Sequence, residues 1–180
     1  MTDAFRAAFL AQSADDFRQL KNHADRAFTQ VTEEQFFATP GPECNSLAVI
    51  NRHISGNLLS RWRDFLTADG EKPDRHRDTE FEVPETLTRE AVMVRWEEGW
   101  RCLFDELGRL TPADLDRQVT IRGEPHSVVQ AIHRQLTHNA SHVGQIVYLA
   151  KLLAGDGWKT LSVPRGKSEE FNRQMKEKYR

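Results

Sequence analysis

Two histidines stand four residues apart in the stretch LTHNASHVGQI, which covers residues 136–146. Residues at positions i and i+4 lie one above the other on a helix, so His138 and His142 would share one face. That face continues through the apolar residues Ile146 and Leu149, and it therefore points toward the core. Buried imidazoles need partners for their nitrogen atoms, and one shared metal ion would supply a partner to both rings.

A third ligand has to come from elsewhere, because a catalytic zinc ion commonly has three protein ligands and one exchangeable position. His53 is the best candidate, since it lies beside Ile50 and Ile54 at the edge of the buried face of another predicted helix. Helical bundles build metal sites from side chains on facing helices, so distance along the chain is no obstacle. The alternative is that these histidines are ordinary core or surface side chains.

The other four histidines, His23, His76, His126 and His133, have no spacing that demands a ligand role. His23 and His133 are expected to face solvent. His76 and His126 belong to a charged loop and to a predicted turn, from which either could supply a fourth ligand.

The glutamate that metalloproteases carry directly after the first histidine of HExxH is absent, and Asn139 stands in its place. Peptidase chemistry of that kind is therefore disfavoured. Three neutral imidazoles would leave the charge of a divalent ion nearly intact, so it could lower the pKa of a bound water or hold a thiolate. Nitrogen ligands suit zinc, nickel, copper and iron alike, and the metal cannot be chosen from them.

A charged segment, FLTADGEKPDRHRDTEFE at residues 65–82, mixes acidic and basic side chains. Such a run is usually a solvated loop. Arg75 or Arg77 could instead bind an anionic substrate, or fix the loop through Asp78 and Glu80. Either carboxylate could also act as a base, while the catalytic residues themselves stay unassigned.

Four segments show the 3.6-residue period of an amphipathic helix: 3–31, 45–66, 89–110 and 127–153. They predict an all-α protein, a four-helix bundle in which Trp62, Trp96 and Trp100 belong to the core. The connection 67–87 is long for a bundle and permits a crossover, so that the second and third helices would run parallel.

Shorter pieces lie between and after these helices. TPADL at 111–115 predicts a brief helical turn, and VTIRGEPHSV at 119–128 predicts a hairpin around a Gly-Glu-Pro turn. The tail 155–180 is expected to be irregular and to be anchored by Trp158 and Leu161.

The composition is that of an ordinary soluble protein: 180 residues, 38% hydrophobic, 29% charged, with a net charge of -2. One domain, 1–180, is expected. The 25 basic and 27 acidic residues are interspersed, which argues against nucleic acid binding. No apolar run is long enough for a membrane span, and the N-terminus lacks a secretory pattern, so a cytoplasmic location is predicted. Cys44 and Cys102 match no zinc spacing and are expected to be buried and inert.

The chain resembles the DinB-like superfamily of damage-inducible and related bacterial proteins, through NRHISGN at 51–57 and LTHNASHVGQIVYLAK at 136–151. Within it, the chain is most similar to a bacterial subfamily of unknown function, through RWRDFLTADGEKPDRHRDTEFE at 61–82 and LSVPRGKSEEFN at 161–172.

The resemblance implies a four-helix bundle that binds a divalent metal, usually nickel, zinc or iron, through His53, His138 and His142. It also implies frequent dimerisation, so a homodimer is expected. Characterised relatives use low-molecular-weight thiols such as mycothiol or bacillithiol, as S-transferases or with the thiol as an isomerase cofactor, and others are presumed hydrolases. A metal-dependent enzyme that acts on a small molecule is therefore expected. The alternatives are a noncatalytic metal-binding or stress-response dimer, and histidines with a purely structural role.

Overall fold

The computed structural model describes residues 2–179, and this part of the chain is predominantly helical. It contains six α-helices: α1 (Asp3–Phe28), α2 (Glu33–Phe37), α3 (Leu47–Trp62), α4 (Arg89–Arg109), α5 (Val128–Ala154) and α6 (Ser168–Lys178). The four long helices α1, α3, α4 and α5 correspond to the four predicted segments. None of the described helices is long and apolar enough to cross a membrane.

Each long helix begins at a hydroxyl side chain that accepts a hydrogen bond from a backbone N–H of the first turn. Thr2, Ser46, Thr88 and Ser127 fill this role for α1, α3, α4 and α5. Such a cap satisfies a donor that the helix itself leaves unpaired, and typically contributes about 1 kcal/mol. The four sequence-predicted helix starts are therefore fixed by local chemistry.

Helices α3 and α4 pack closely at Gly99. A Cβ atom at this position would lie 3.1 Å from the Cα and carbonyl oxygen of Ser55, so only glycine permits this approach without displacement. Nearer the start of both helices, the Asn51 amide contacts the Sδ atom of Met93 at 3.5 Å. The earlier residue of α3 contacts the earlier residue of α4, and the later residue contacts the later one. The two helices therefore run in the same direction, as the long connection between them permits.

The core lies between the four long helices. Trp62, Trp96 and Trp100 are 1%, 0% and 0% exposed, which confirms that they belong to the core. Phe5 has the spacing of the buried side chains of α1 but is 57% exposed. It lies in the first turn of α1, near the end of the helix, where the periodic pattern continues but the core does not.

The predicted hairpin is present, with a shifted turn. Strands β1 (Gln118–Ile121) and β2 (Glu124–Ser127) pair antiparallel, with Val119 opposite His126. The turn consists of Arg122 and Gly123, at φ 56° and 76°, rather than Gly-Glu-Pro. Two consecutive positive φ angles match the right-handed twist of paired strands, which explains why the tight two-residue turn prevails. The predicted helical turn after Thr111 is also present, as a 3-10 helix (Pro112–Asp116).

Two helices were not predicted. Helix α2 has only five residues, and a capping box between Thr32 and Gln35 stabilises it, which no apolar period reveals. Helix α6 lies in the tail that was expected to be irregular. It has no buried residue, so no apolar stripe in the sequence marks it. Ahead of α6, Trp158 and Leu161 pack against the core, as predicted.

Neither cysteine fits the expectation of a buried, inert thiol. Cys44 is exposed, because it lies in the polar loop before α3 rather than on a helical face. Cys102 is only half-buried, and this burial raises the pKa of its thiol.

Candidate metal centre

His53, His138 and His142 come together between helices α3 and α5. One nitrogen atom of each ring lies within 4.8 Å of the corresponding atoms of the other two. The ring centroids are 5.3 Å apart for His53 and His138, 4.9 Å for His53 and His142, and 4.6 Å for His138 and His142. This proximity confirms the predicted grouping, and the other four histidines lie outside the group that the described residues form.

The Nδ1 atom of each ring has an oxygen partner. For His53 it is a Glu80 carboxylate oxygen at 2.9 Å, and for His142 it is the Gln145 side-chain oxygen at 2.8 Å. For His138 the Asn139 side-chain oxygen lies at 3.4 Å. A ring that donates its Nδ1–H to an oxygen keeps the lone pair on Nε2. The hydrogen bonds therefore select the tautomer that a metal requires at Nε2.

The spacing of the donor atoms fits a small divalent cation. The Nε2 atoms of His53 and His138 are 3.3 Å apart. Two nitrogens each about 2.05 Å from a tetrahedral ion lie about 3.3 to 3.4 Å from each other. Two neutral nitrogens with facing lone pairs repel at this distance, so a cation or a proton between them relieves an unfavourable contact. The donor set is thus suited to a metal.

Glu80 fixes the orientation of His53 from the 3-10 helix Arg77–Phe81. Its two carboxylate oxygens also accept hydrogen bonds from Arg75, at 2.8 and 3.0 Å. Gly56, one helical turn after His53, leaves the space for this carboxylate. A Cβ atom at Gly56 would lie 2.2 Å from Oε1 of Glu80. His53, Glu80 and Arg75 thus form a buried chain of hydrogen bonds that joins α3 to the charged segment.

The local environment favours a charged carboxylate at Glu80 and neutral rings at His138 and His142. Burial alone would raise the pKa of Glu80, but the hydrogen bonds from His53 and Arg75 and the charge of Arg75 hold it below its usual value. Burial lowers the pKa of His138 to about 4, with further contributions from His142 and His53. Burial also lowers the pKa of His142. Neutral imidazoles are the form that binds metals, so the lowered pKa values keep His138 and His142 in their ligand form near neutral pH.

Asn139, which stands where a metalloprotease has its general base, points into the core. It is fully buried, and its side-chain oxygen accepts a hydrogen bond of 2.8 Å from Gln135. The same Gln135 amide donates to Asn57 at 3.0 Å. This buried amide network connects α5 to α3 beside the histidines, and it supplies no base.

Neither Asp78 nor Glu80, the two carboxylates suggested as a base, is placed to act as one. Both oxygens of Glu80 are used by Arg75 and His53, and the side chain of Asp78 is 98% exposed. Of the two roles considered for Arg75, the structure shows the one in which it fixes the loop through Glu80. The role of Glu80 as the partner of His53 was missed, although the glycine three residues after His53 indicates that something approaches α3 there.

A cavity of about 460 Å³ opens beside the three histidines. Its walls combine apolar residues of α3 and β1 with polar residues of α5, and Trp62, Phe65 and Ile121 are among the apolar ones. This volume is in the range of about 300 to 1,000 Å³ that small-molecule sites occupy. A molecule in the cavity would therefore contact the three histidines, which are among its lining residues.

A model of one protein family matches residues 4–167, and the family is described as a protein of unknown function (DUF1572). None of the curated proteins matches the chain.

Proposed function

This chain belongs to the DUF1572 family, whose function is unknown, and we propose that it binds one divalent metal ion through His53, His138 and His142 and uses it as a small-molecule enzyme. The metal would be zinc, nickel or iron, which imidazole ligands suit. The fold would be the DinB-like four-helix bundle, in which two ligands come from α5 and one comes from α3. The resemblance described above supports this assignment.

The observation that carries the proposal is the shared orientation of the three rings. Each Nδ1 atom has an oxygen partner, and one ligand nitrogen of each ring lies within 4.8 Å of those of the other two. Core histidines satisfied within the protein would not need to face one another. Oriented rings with hydrogen-bonded second nitrogens are the usual arrangement of metal-binding histidines.

A bound metal would supply Lewis acidity, lowering the pKa of a thiol or of a water molecule at its open position. The protein would orient the metal ligands and shape the substrate site. Glu80 holds His53 in position, Arg75 holds Glu80 ionised, and the apolar residues of the cavity exclude water from one side of the substrate. Three protein ligands next to an open cavity favour catalysis over a closed structural site. A small thiol as cosubstrate, in an S-transferase, and activated water, in a hydrolase, are the two variants that the resemblance supports.

The test is elemental analysis of the purified protein after reconstitution, on wild type, His138→Ala, His142→Ala and the control His133→Ala. His133 lies on the same helix but is exposed and stacks on Phe9. Wild type and His133→Ala are expected to hold about one equivalent of metal. The other two variants are expected to lose it while their far-ultraviolet circular dichroism stays helical. Metal retained by His138→Ala and His142→Ala, or well under one equivalent in wild type, would overturn the proposal.

Catalysis is tested separately, by a screen of thiols and electrophiles on metal-loaded wild type and His138→Ala in parallel. Turnover that depends on His138 supports the enzyme. A fully loaded protein without turnover in any reaction supports the noncatalytic metal-binding dimer instead. The homodimer is itself an expectation from the resemblance, and light scattering of the purified protein tests it.

A further inference from the structure

The cavity beside the histidines has an unusual electrostatic composition. Five of its described lining residues are arginines, Arg61, Arg75, Arg77, Arg122 and Arg134, and none is an aspartate or a glutamate. Arginines bind carboxylate and phosphate groups through paired N–H donors. The question is which of these donors remain available to a ligand.

Two of the five arginines serve the protein itself. Arg75 is almost completely buried and is bound to both oxygens of Glu80. Arg61 is also buried, and it donates to the carbonyl oxygen of Gly70 and to Glu71 at 3.0 Å. These two guanidinium groups hold the charged segment against α3. They have structural partners and need no ligand.

Arg134 is different, since no described carboxylate lies within ion-pair distance of its guanidinium and it has no hydrogen-bond partner among the described side chains. It lies on α5, one turn before His138, so it lines the cavity from the same helix that carries two of the histidines. Arg134 is exposed, so its guanidinium donors are accessible to a ligand.

Arg122 lines the cavity from the tip of the hairpin, in a backbone conformation that arginine rarely adopts. Its φ is 56°, at a turn position where asparagine or glycine is preferred. The left-handed region is unfavourable for an ordinary residue. An ion pair between Nε of Arg122 and Glu71 at 3.1 Å is half-exposed, and such pairs contribute little to stability. The conformation of Arg122 is instead held by the turn itself, whose backbone N–H groups bind Asp69.

The turn that carries Arg122 is held firmly. One oxygen of Asp69 accepts the backbone N–H of Arg122 at 2.8 Å, and the other accepts that of Gly123 at 2.8 Å. Glu71 then engages Nε, which leaves both terminal nitrogens of Arg122 without a described partner. The guanidinium group is therefore positioned before any ligand arrives, which lowers the entropic cost of binding.

We propose that this cavity binds a small organic anion, a carboxylate or a phosphate ester, whose charged group is held by Arg122 and Arg134. The apolar walls formed by Phe65, Val119 and Ile121 contact the uncharged part of the molecule. The reacting end extends to the three histidines, and only this last part rests on the proposed metal site. The anion subsite itself uses residues of the chain alone.

The test is isothermal titration calorimetry with succinate, its neutral diamide succinamide, and phenyl phosphate, on zinc-loaded and on metal-free protein. Succinate or phenyl phosphate is expected to bind at least tenfold more tightly than succinamide, and whichever binds more tightly identifies the anion as a carboxylate or a phosphate. Arg134→Gln and Arg122→Asn are each expected to weaken that binding about tenfold or more, the loss typical of one charge-assisted contact. Arg122→Asn suits the turn, so its folding is retained. The control is Arg173→Gln on the exposed helix α6.

The outcomes separate the two proposals. Equal binding of succinate, phenyl phosphate and succinamide, or undiminished anion binding by both cavity variants, would overturn the anion subsite even in a protein that holds its metal. Arginine-dependent anion binding by a protein that retains no metal after reconstitution would support the subsite and overturn the metal centre. Both arginine variants are expected to retain the metal content of wild type, because neither residue contacts a histidine nitrogen in the described structure.

Discussion

The Nδ1 atom of His53 and a carboxylate oxygen of Glu80 are 2.9 Å apart, although 27 residues separate them in the chain. This contact makes the charged segment part of the histidine site. Hydrogen bonds of this kind fix the ring and make its other nitrogen a better ligand. The segment, which composition alone describes as a solvated loop, would therefore influence the affinity of the proposed metal site.

Replacing Glu80 with glutamine is expected to weaken metal binding about 10- to 100-fold, as changes in the partners of ligating histidines typically do. The variant removes the carboxylate charge but keeps a side chain of similar size. Competition with a chelator of known affinity measures the effect. Asp78→Asn, in the same segment but 98% exposed, is the control and is expected to bind metal like wild type. Equal affinities of the Glu80 and Asp78 variants would contradict the role given to Glu80.

Replacing Gly56 with alanine is expected to disturb the same contact from the other side. The added Cβ would overlap Oε1 of Glu80, and the carboxylate cannot move without losing Arg75 or His53. We expect a loss of about 1 to 3 kcal/mol in the free energy of unfolding, typical of overpacking, together with weaker metal binding.

Urea denaturation measures this loss, and Gly108→Ala is the matched control. Gly108 lies near the end of α4, where an added Cβ would meet nothing within 4 Å. The control is expected to be unchanged or up to about 1 kcal/mol more stable, because alanine favours helix. If Gly56→Ala behaves like this control, the close approach of Glu80 to α3 is wrong.

Acidification is expected to destabilise the metal-free protein through His138. The folded protein holds the pKa of this ring near 4, against 6.5 for the ordinary side chain, so the unfolded chain binds more protons between these values. The free energy of unfolding therefore falls as the pH drops from about 6.5 toward 4. Because the ring is half-buried, we expect a loss of about 1 to 2 kcal/mol rather than the full value of the shift.

Urea denaturation at a series of pH values, with chelator present, follows this loss. His138→Gln cannot titrate at this position, so its stability is expected to fall less steeply over the same interval. Parallel curves for wild type and the variant would show that the acid sensitivity arises elsewhere.

Replacing Asp69 with alanine is expected to release the hairpin turn. The carboxylate accepts backbone N–H groups of Glu71, Arg122 and Gly123, and these bonds hold its pKa near 2 although burial alone would raise it. Losing them is expected to cost about 1 to 3 kcal/mol and to speed hydrogen exchange of the Arg122 and Gly123 amides. Asp74→Ala, which breaks only an exposed pair with Arg63, is the control and is expected to leave the stability nearly unchanged. Unchanged exchange at the turn would contradict this assignment.

The sequence predicts the elements whose causes are local or periodic. The four long helices follow from apolar spacing and hydroxyl caps, and His138 and His142 share a face because four residues separate them on α5. His53 was found because it lies at the edge of the buried face of α3. The role of Glu80 is different, since it depends on how the segment after α3 folds back, and no pattern within 65–82 encodes that path. The sequence does not predict that Arg122 and Arg134 line one cavity, for the same reason. The two residues share that cavity only because the hairpin packs against the long helices.

No residue separates the hairpin from α5. Ser127 ends β2 and also caps α5, which begins at Val128. The tip that carries Arg122 and the helix that carries His138 and His142 are consequently joined without a linker. The separation between the proposed anion subsite and the histidines would then vary little, so the protein would sort otherwise similar molecules by how many bonds separate their charged group from their reacting atom.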